Sequence, residues 1–450
     1  MNEKFEKRNV RAVIIQCRLS SSRLPGKALY SLGGKPLVSW TLDAMKQVTA
    51  DYYILATDHA SFSYLEPDCK KSGYACFEGP LENVLERFCM VIRKYNIDTV
   101  IRATGDNPFL FYEAAAESAD LFDSRRGTSE ECDYLTFSGL PHGCGVEVFD
   151  GKALLKAAEM TEDPYDREHA CPALYRHKEY FKCEFLTAPE KYNFPSLRTT
   201  VDTFGDYLRA ILMYNSQNNY TKEPFDYKEI LSIASKPEVL KPLILIPSLK
   251  TGRGTGHLVR CLKLARETGG FIYVGSLNVN SPQGISFANK VSSLIKDALE
   301  EGLKEYQIIQ KLPEKGFDCT YIADTFSLDK EICEYLSAST LVAVDDGSSY
   351  KDYCDYVLDI IPSYKNKYKP NLRNISFLDL PQKKEKKQVK ESDEIKKVLV
   401  CFGGEDPKGF TEPVTNQCKK IFQGAEIVTV TPESPIKNLK NHLCEYDLVF

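Results

Sequence analysis

Short runs rich in β-branched and aromatic residues alternate with amphipathic helical stretches almost from end to end of this 450-residue chain. That alternation restricts the fold more than any other feature, because strands returned over helices build parallel α/β sheets. In the first half the pattern predicts strands at 10–16, 52–57, 99–103 and 134–137, with helices at 36–48 and 81–95. Leu81, Val84, Leu85, Phe88 and Ile92 recur at helical spacing and predict one buried stripe. The pattern lapses between 215 and 240, where a polar stretch and two prolines precede a new apolar run; a domain boundary is expected at 235–241. A second α/β series follows, with strands expected at 243–246, 271–274, 320–323, 341–344 and 356–360 and helices at 256–267 and 285–300.

Residues 383–397 hold seven lysines and four acidic residues with almost no apolar side chain, which predicts a solvated connector. A strand at 398–402, a glycine turn, a helix at 411–422, a strand at 426–430 and a strand-like run at 447–450 then read as the start of a further, incomplete lobe. The expected organisation is therefore 8–235, 241–382, the connector 383–397, and 398–450.

Composition narrows the function classes. Lys and Arg total 58 against 63 Asp and Glu, a formal net charge of −5, which argues against broad nucleic-acid binding through a positive surface. No apolar run approaches the ~18–20 residues that span a bilayer, and the first ten residues lack a signal peptide's apolar stretch. Fifteen cysteines with no C-x-x-C pair favour a reducing cytoplasm over a disulfide framework or a structural zinc site.

The first strand runs into a loop that carries Arg18, Ser21, Arg23, Gly26 and Lys27. Cations, hydroxyls and glycine-freed backbone N–H groups at a strand's carboxyl end suit a nucleoside triphosphate. The loop is not a Walker A sequence, since no G-x-x-x-x-G-K-[ST] occurs. Asp106 follows Gly105 at the end of the strand expected at 99–103, and Asp202 ends a β-branched run; together they would supply two carboxylates to Mg2+.

The ordered set R-L-S-S-S-R-L-P-G-K, G-G-K-P-L, T-G-D-N-P, G-V-E-V-F, D-R-E-H and T-V-D-T resembles the spore-coat polysaccharide cytidylyltransferases of the protein F type, over about 11–215. These are relatives of the CMP-ketodeoxyoctonate and CMP-acylneuraminate synthetases. The resemblance implies a Rossmann-like, GT-A-like nucleotidyltransferase domain that moves CMP from CTP to a sugar acid or related acceptor and releases pyrophosphate. It also implies that Arg18, Arg23 and Lys27 bind the triphosphate and that Asp106 and Asp202 hold Mg2+. Glu147, Asp166, Arg167, Glu168 and His169 would then lie near the acceptor, with His169 a candidate acid or base by residue type, and a homodimer is compatible with such relatives.

In the second half a glycine turn with Gly254 and Gly256 leads into His257 where a helix begins, and lacks the G-x-G-x-x-G spacing of a dinucleotide fingerprint. G-T-G-H-L-V-R-C-L-K-L-A, V-D-D and F-G-G-E-D-P resemble the UDP-sugar hydrolase of the pseudaminic-acid pathway and spore coat biosynthesis protein G. That resemblance implies a two-lobed GT-B-like region taking a nucleotide sugar, with His257 catalytic and Gly403 and Gly404 in the turn opening the second lobe. A glycosyltransferase is disfavoured because no two aspartates flank a single residue, and a non-catalytic sensor is disfavoured by the charges placed for phosphate and metal.

Overall fold

The computed structural model describes residues 9–217, 223–252, 254–275, 277, 279–344, 350–359, 372–373, 394–402, 406, 408–431 and 439–450. The chain divides into two compact units, Met1–Leu240 and Lys241–Phe450. Gly403, Gly404, the V-D-D aspartates and most of the expected connector lie outside the described residues.

Among the described residues of the first unit, seven strands form one sheet: β1 Arg11–Gln16, β2 Tyr52–Asp58, β3 Ala75–Gly79, β4 Thr99–Thr104, β5 Tyr134–Ser138, β6 Glu147–Asp150 and β7 Cys183–Thr187. Their spatial order is β3-β2-β1-β4-β6-β5-β7. β1 lies parallel between β2 and β4, and its interior is buried on both faces, as the unbroken apolar run Ala12–Ile15 requires. Alternation sends Ala12 and Ile14 to one core, with Ile54, Phe88 and Phe149, and Val13 and Ile15 to the other, with Val38, Leu42 and Leu55.

The sheet is not parallel throughout, in contrast to the expectation. β6, absent from the strands read in the sequence, runs antiparallel to both β4 and β5, because it returns from β5 as a hairpin without a helical crossover. The helix expected at 81–95 spans Val84–Tyr95, since the Asn83 side chain accepts from the Glu86 N–H and caps it. Leu81 therefore precedes the helix and is 40% exposed, while Val84, Leu85, Phe88 and Ile92 are buried as the spacing predicts. Truncating Phe88 to alanine would cost roughly 3–5 kcal/mol.

In the second unit, the described strands β8 Leu243–Pro247, β9 Phe271–Tyr273, β10 Ile308–Ile309, β11 Thr320–Asp324, β12 Thr340–Val344, β13 Tyr356–Asp359 and β14 Leu372–Arg373 form a parallel sheet in the order β10-β9-β8-β11-β12-β13-β14. Helices Gly256–Thr268 and Pro282–Glu300 pack Leu258, Cys261, Leu262 and Phe287 against Leu245 and Ile272. The second of these begins three residues before the expected 285, because Ser281 caps it and Pro282 fits the first helical position. A further sheet pairs β15 Lys397–Cys401 with β16 Glu426–Val430 and β17 Leu448–Val449, all parallel. Among the described residues no helix is long and apolar enough to cross a membrane.

Both seven-stranded sheets reverse direction beside their first strand. Chain order steps outward from β1 through β2 to β3, then resumes on the other side at β4; β8 and β11 stand in the same relation. Ligands of open α/β sheets collect at the carboxyl ends of strands at such reversals.

Candidate active site

In the first unit the loop after β1 folds on itself. Gly26 donates to the Leu19 carbonyl at 2.9 Å and adopts φ +70°, a left-handed conformation that lets the chain turn into the single helical turn Lys27–Leu29. Ser21 Oγ accepts from the Leu24 N–H at 3.4 Å, and the Leu19 N–H donates to Ser61 Oγ at 3.0 Å. The turn aims the buried Lys27 along the end of β4.

That strand end is tightly fitted to β1. A Cβ on Gly105 would come within 2.8 Å of Cys17 Sγ, so glycine is required there, and the Gly105 N–H donates to the Gln16 carbonyl at 2.9 Å. Asp106 follows. Its carbonyl accepts from the Val201 N–H at 3.0 Å, which ties residues 198–203 to the strand end. The Asp202 N–H donates to Asp206 Oδ2 at 3.1 Å, where helix Phe204–Asn215 starts in a Thr203–Asp206 capping box.

These elements bring two distant carboxylates to one point. Lys27 Nζ donates to Asp106 Oδ2 at 2.6 Å and to Asp202 Oδ1 at 3.0 Å. Arg23, 62% exposed, lies 3.1 Å from Asp202 Oδ1, and Arg198 reaches Asp202 Oδ2 at 3.1 Å while gripping Asp206 with two nitrogens. Burial alone would raise the Asp202 pKa, but Lys27, Arg23 and Arg198 outweigh it and hold the carboxyl below its ordinary value. Burial, with Asp106 adding to it, pushes the Cys17 thiol up to about 12, so this neighbour stays protonated and is no nucleophile.

Two cavities adjoin at this junction, sharing Thr104, Asp106 and Asp202. The smaller, about 230 Å³, is lined by Arg18, Ser21, Arg23 and Lys27 on the loop side. The larger, about 520 Å³, extends over Arg102, Tyr134, His142 and Glu147. Glu147 on β6 stands opposite Arg102 on β4 in the antiparallel register and pairs with it; Tyr134 donates its hydroxyl proton to Glu147 at 2.8 Å, and Arg102 donates to Gln16 at 2.9 Å. Gly143, at φ +105°, packs so closely that a Cβ would sit 2.5 Å from the Thr200 nitrogen, which holds the cavity wall against the 198–203 segment.

The D-R-E-H residues do not line the two cavities. Asp166 is fully buried and committed to Thr161 Oγ1 at 2.7 Å, Arg176 at 2.8 Å and His177 at 3.1 Å, so it braces a short helix and lines neither cavity. Arg167, Glu168 and His169 are exposed on that helix, Pro164–His169, and also line neither cavity. Glu168 lies 3.7 Å from Arg18, and His169 packs edge-on to Tyr165. Conversely, nothing in the sequence pattern joins Arg102 and Tyr134 to Glu147, or Arg198 to Asp206. The one local signal was the run from Arg198 to Asp202, an i, i+4 spacing.

Among the described residues no group of three or more His, Cys, Asp or Glu is arranged to hold a metal. The pair Asp106–Asp202 nevertheless suits Mg2+, which takes one or two carboxylates and fills its remaining positions with phosphate oxygens and water. Both oxygens already lie within 3.0 Å of one ammonium group.

In the second unit the reversal point holds His257, in the first turn of helix Gly256–Thr268, and Asp324, the last residue of β11. His257 Nδ1 lies 2.5 Å from Asp324 Oδ1. Gly254, at φ +78°, precedes that helix. A cavity of about 610 Å³ opens at the same sheet edge, lined by Ser248 and Lys250 after β8 and by Thr325 and Ser327 after β11.

Residues 12–234 match the protein family described as Cytidylyltransferase. The spore coat polysaccharide biosynthesis protein SpsF of Bacillus subtilis is 33% identical over 211 residues, which cover 45% of this chain and 85% of that protein. The 3-deoxy-manno-octulosonate cytidylyltransferase of Vibrio parahaemolyticus is 37% identical over 102 residues, 22% of this chain and 40% of that enzyme. A solved cytidylyltransferase from Leptospira borgpetersenii aligns over 52% of this chain and 97% of its own, at 25% identity and a TM-score of 0.47. A strand-end carboxylate facing a basic glycine turn, on a sheet whose chain matches over the same residues, leads to one assignment: through its first unit, this protein belongs to the cytidylyltransferase family of nucleotidyltransferases.

Proposed function

We propose that the first unit transfers CMP from CTP to a hydroxyl of a sugar acid or related acceptor, with release of pyrophosphate, in the synthesis of a surface polysaccharide or glycan in the cytoplasm. The observation that carries this reading is the convergence of Lys27, Asp106 and Asp202 at the seam of two cavities. The loop-side cavity takes the triphosphate, with Arg18, Ser21, Arg23, Lys27 and the backbone at Gly26 around the phosphates. The larger cavity takes the acceptor, with Glu147 on its floor. The sugar-acid class follows the name of the Vibrio relative.

The acceptor oxygen attacks the α-phosphorus in line, its proton passes to water, and the bond to the pyrophosphate oxygen breaks. Lys27 and the loop arginines stabilise the negative charge that develops on the leaving group. In the free protein the Lys27 ammonium sits between the two carboxylates; arriving phosphates compete for it and draw it off them. Asp106 and Asp202 are then the residues that would hold Mg2+, which when bound neutralises phosphate charge.

For the second unit we propose a GT-B-like, nucleotide-sugar hydrolase-related site, supported by the His257–Asp324 pair at the reversal between β8 and β11; the cavity at the same sheet edge is not lined by His257 itself.

Thermal shifts with the four nucleoside triphosphates and Mg2+, followed by pyrophosphate assays over a panel of sugar acids, test the first reading. A selective CTP shift and acceptor-dependent pyrophosphate release are expected. Sugar transfer from a nucleotide-sugar donor without pyrophosphate release overturns it.

A further inference from the structure

The carboxylate of Asp324 is 2% exposed, and two side chains from one helix face converge on it. His257 and Arg260 stand at i and i+3, hence on the same side of their helix. Arg260 Nε donates to Asp324 Oδ2 at 2.6 Å and Nη2 donates to Oδ1 at 2.7 Å, a bidentate grip. Burial alone would raise the Asp324 pKa, but the bonds from Arg260 and His257 hold the carboxyl below its ordinary value, so it is anionic. A ring nitrogen 2.5 Å from an anionic oxygen must itself bring the hydrogen.

Arg260 Nη2 also lies 3.3 Å from Nδ1, but it is a donor facing a donor; the carboxylate is the acceptor for both. The Phe326 ring meets the imidazole edge-on, with centroids 4.5 Å apart, and limits its rotation. Among the described residues none bonds Nε2, and the His257 side chain is 14% exposed.

We infer that Asp324, clamped by Arg260, is a positioning residue that fixes His257 as the Nδ1–H tautomer and leaves Nε2 as the accessible base at the reversal point of the second unit. An imidazole whose Nδ1 is committed to a carboxylate has one nitrogen that can accept a proton, and its ring plane is set by the same bond. The catalytic consequence rests on the hydrolase-related reading of this unit; the tautomer does not.

The test uses the full chain with 15N-labelled histidine. Long-range proton–nitrogen correlations should show His257 with Nδ1 protonated and Nε2 bare, assigned by loss of the signal in His257→Gln. Asp324→Asn, which preserves volume, should shift His257 toward a mixture of tautomers, while His442, elsewhere in the same unit, keeps its shifts and reports an intact fold. With UDP-N-acetylhexosamine as the probe, D324N should lower kcat for UDP release about 10²-fold or more and leave KM within a few-fold. A wild-type Nε2–H tautomer, or a tautomer unchanged in D324N, overturns the inference. So does a raised KM with kcat intact. Absence of UDP release from the wild type together with the expected tautomer shift removes the hydrolase-related reading and leaves the positioning role supported.

Discussion

The two sheets place a basic side chain and a carboxylate in the same topological slot and hold them in opposite ways. In each, a base from the segment after the first strand meets a carboxylate at the end of the strand across the reversal: Lys27 with Asp106 at 2.6 Å, and His257 with Asp324 at 2.5 Å. The first slot is the more open to solvent at its rim and at its carboxylate. Its cations ride on long side chains, Arg23 largely in solvent, and the Asp106 side chain is 26% exposed. The second is built to stay fixed, with a buried carboxylate, a bidentate arginine and a short, rigid ring. Flexible charges suit a polyphosphate that must be gripped and released, whereas a locked pair suits control of a single proton.

The comparison is most easily broken at Asp106. Asp106→Asn should lower CTP-dependent pyrophosphate release about 10²–10³-fold while circular dichroism and thermal unfolding stay close to wild type. Near wild-type turnover would remove Asp106 from the reaction. Next in size, Lys27→Met should lower turnover about 10²-fold. If the lysine truly stands in for a cation, the same variant should bind Mn2+ in the absence of CTP more tightly than wild type, read by electron paramagnetic resonance. Weaker Mn2+ binding in K27M would refute the competition between ammonium and metal.

Arg23→Ala should act mainly on the KM for CTP, by about 3–10-fold, because an exposed arginine contributes modestly through solvent-screened charge. The smallest effect concerns stability. The Asp202 pKa is depressed in the folded chain, so its ion pairs stabilise the fold fully above the ordinary carboxylate value of ~3.9 and are lost as pH falls through the folded value. Acid titration of wild type and Asp202→Asn should therefore keep a constant separation above about pH 4 and converge as pH falls below it through the folded value. A separation that stays unchanged down to the acid limit would show that the ionised carboxylate contributes nothing.

Much of this was legible in the sequence because it depended on local pattern. The β1 run and the Val84–Tyr95 stripe declared themselves through spacing, and Lys27, Asp106 and Asp202 through residue type in the loop after β1, after the end of β4 and at the close of a β-branched run. What was illegible depended on partners far along the chain. Whether Asp166 faced a ligand or the interior was decided by Arg176 and His177, ten and eleven residues on. Asp324 carries no mark of its role, since its partner lies 67 positions earlier. β6 was missed because four residues in a hairpin give almost no periodicity, although its register creates the Arg102–Glu147 pair.

One main-chain bond carries a consequence of its own. The Val201 N–H donates to the Asp106 carbonyl, and the Gly143–Thr200 packing sits directly beside it. That bond ties the turn bearing Asp106 to the segment bearing Asp202, so the two carboxylates shared by both cavities rest on one continuous piece of main-chain framework.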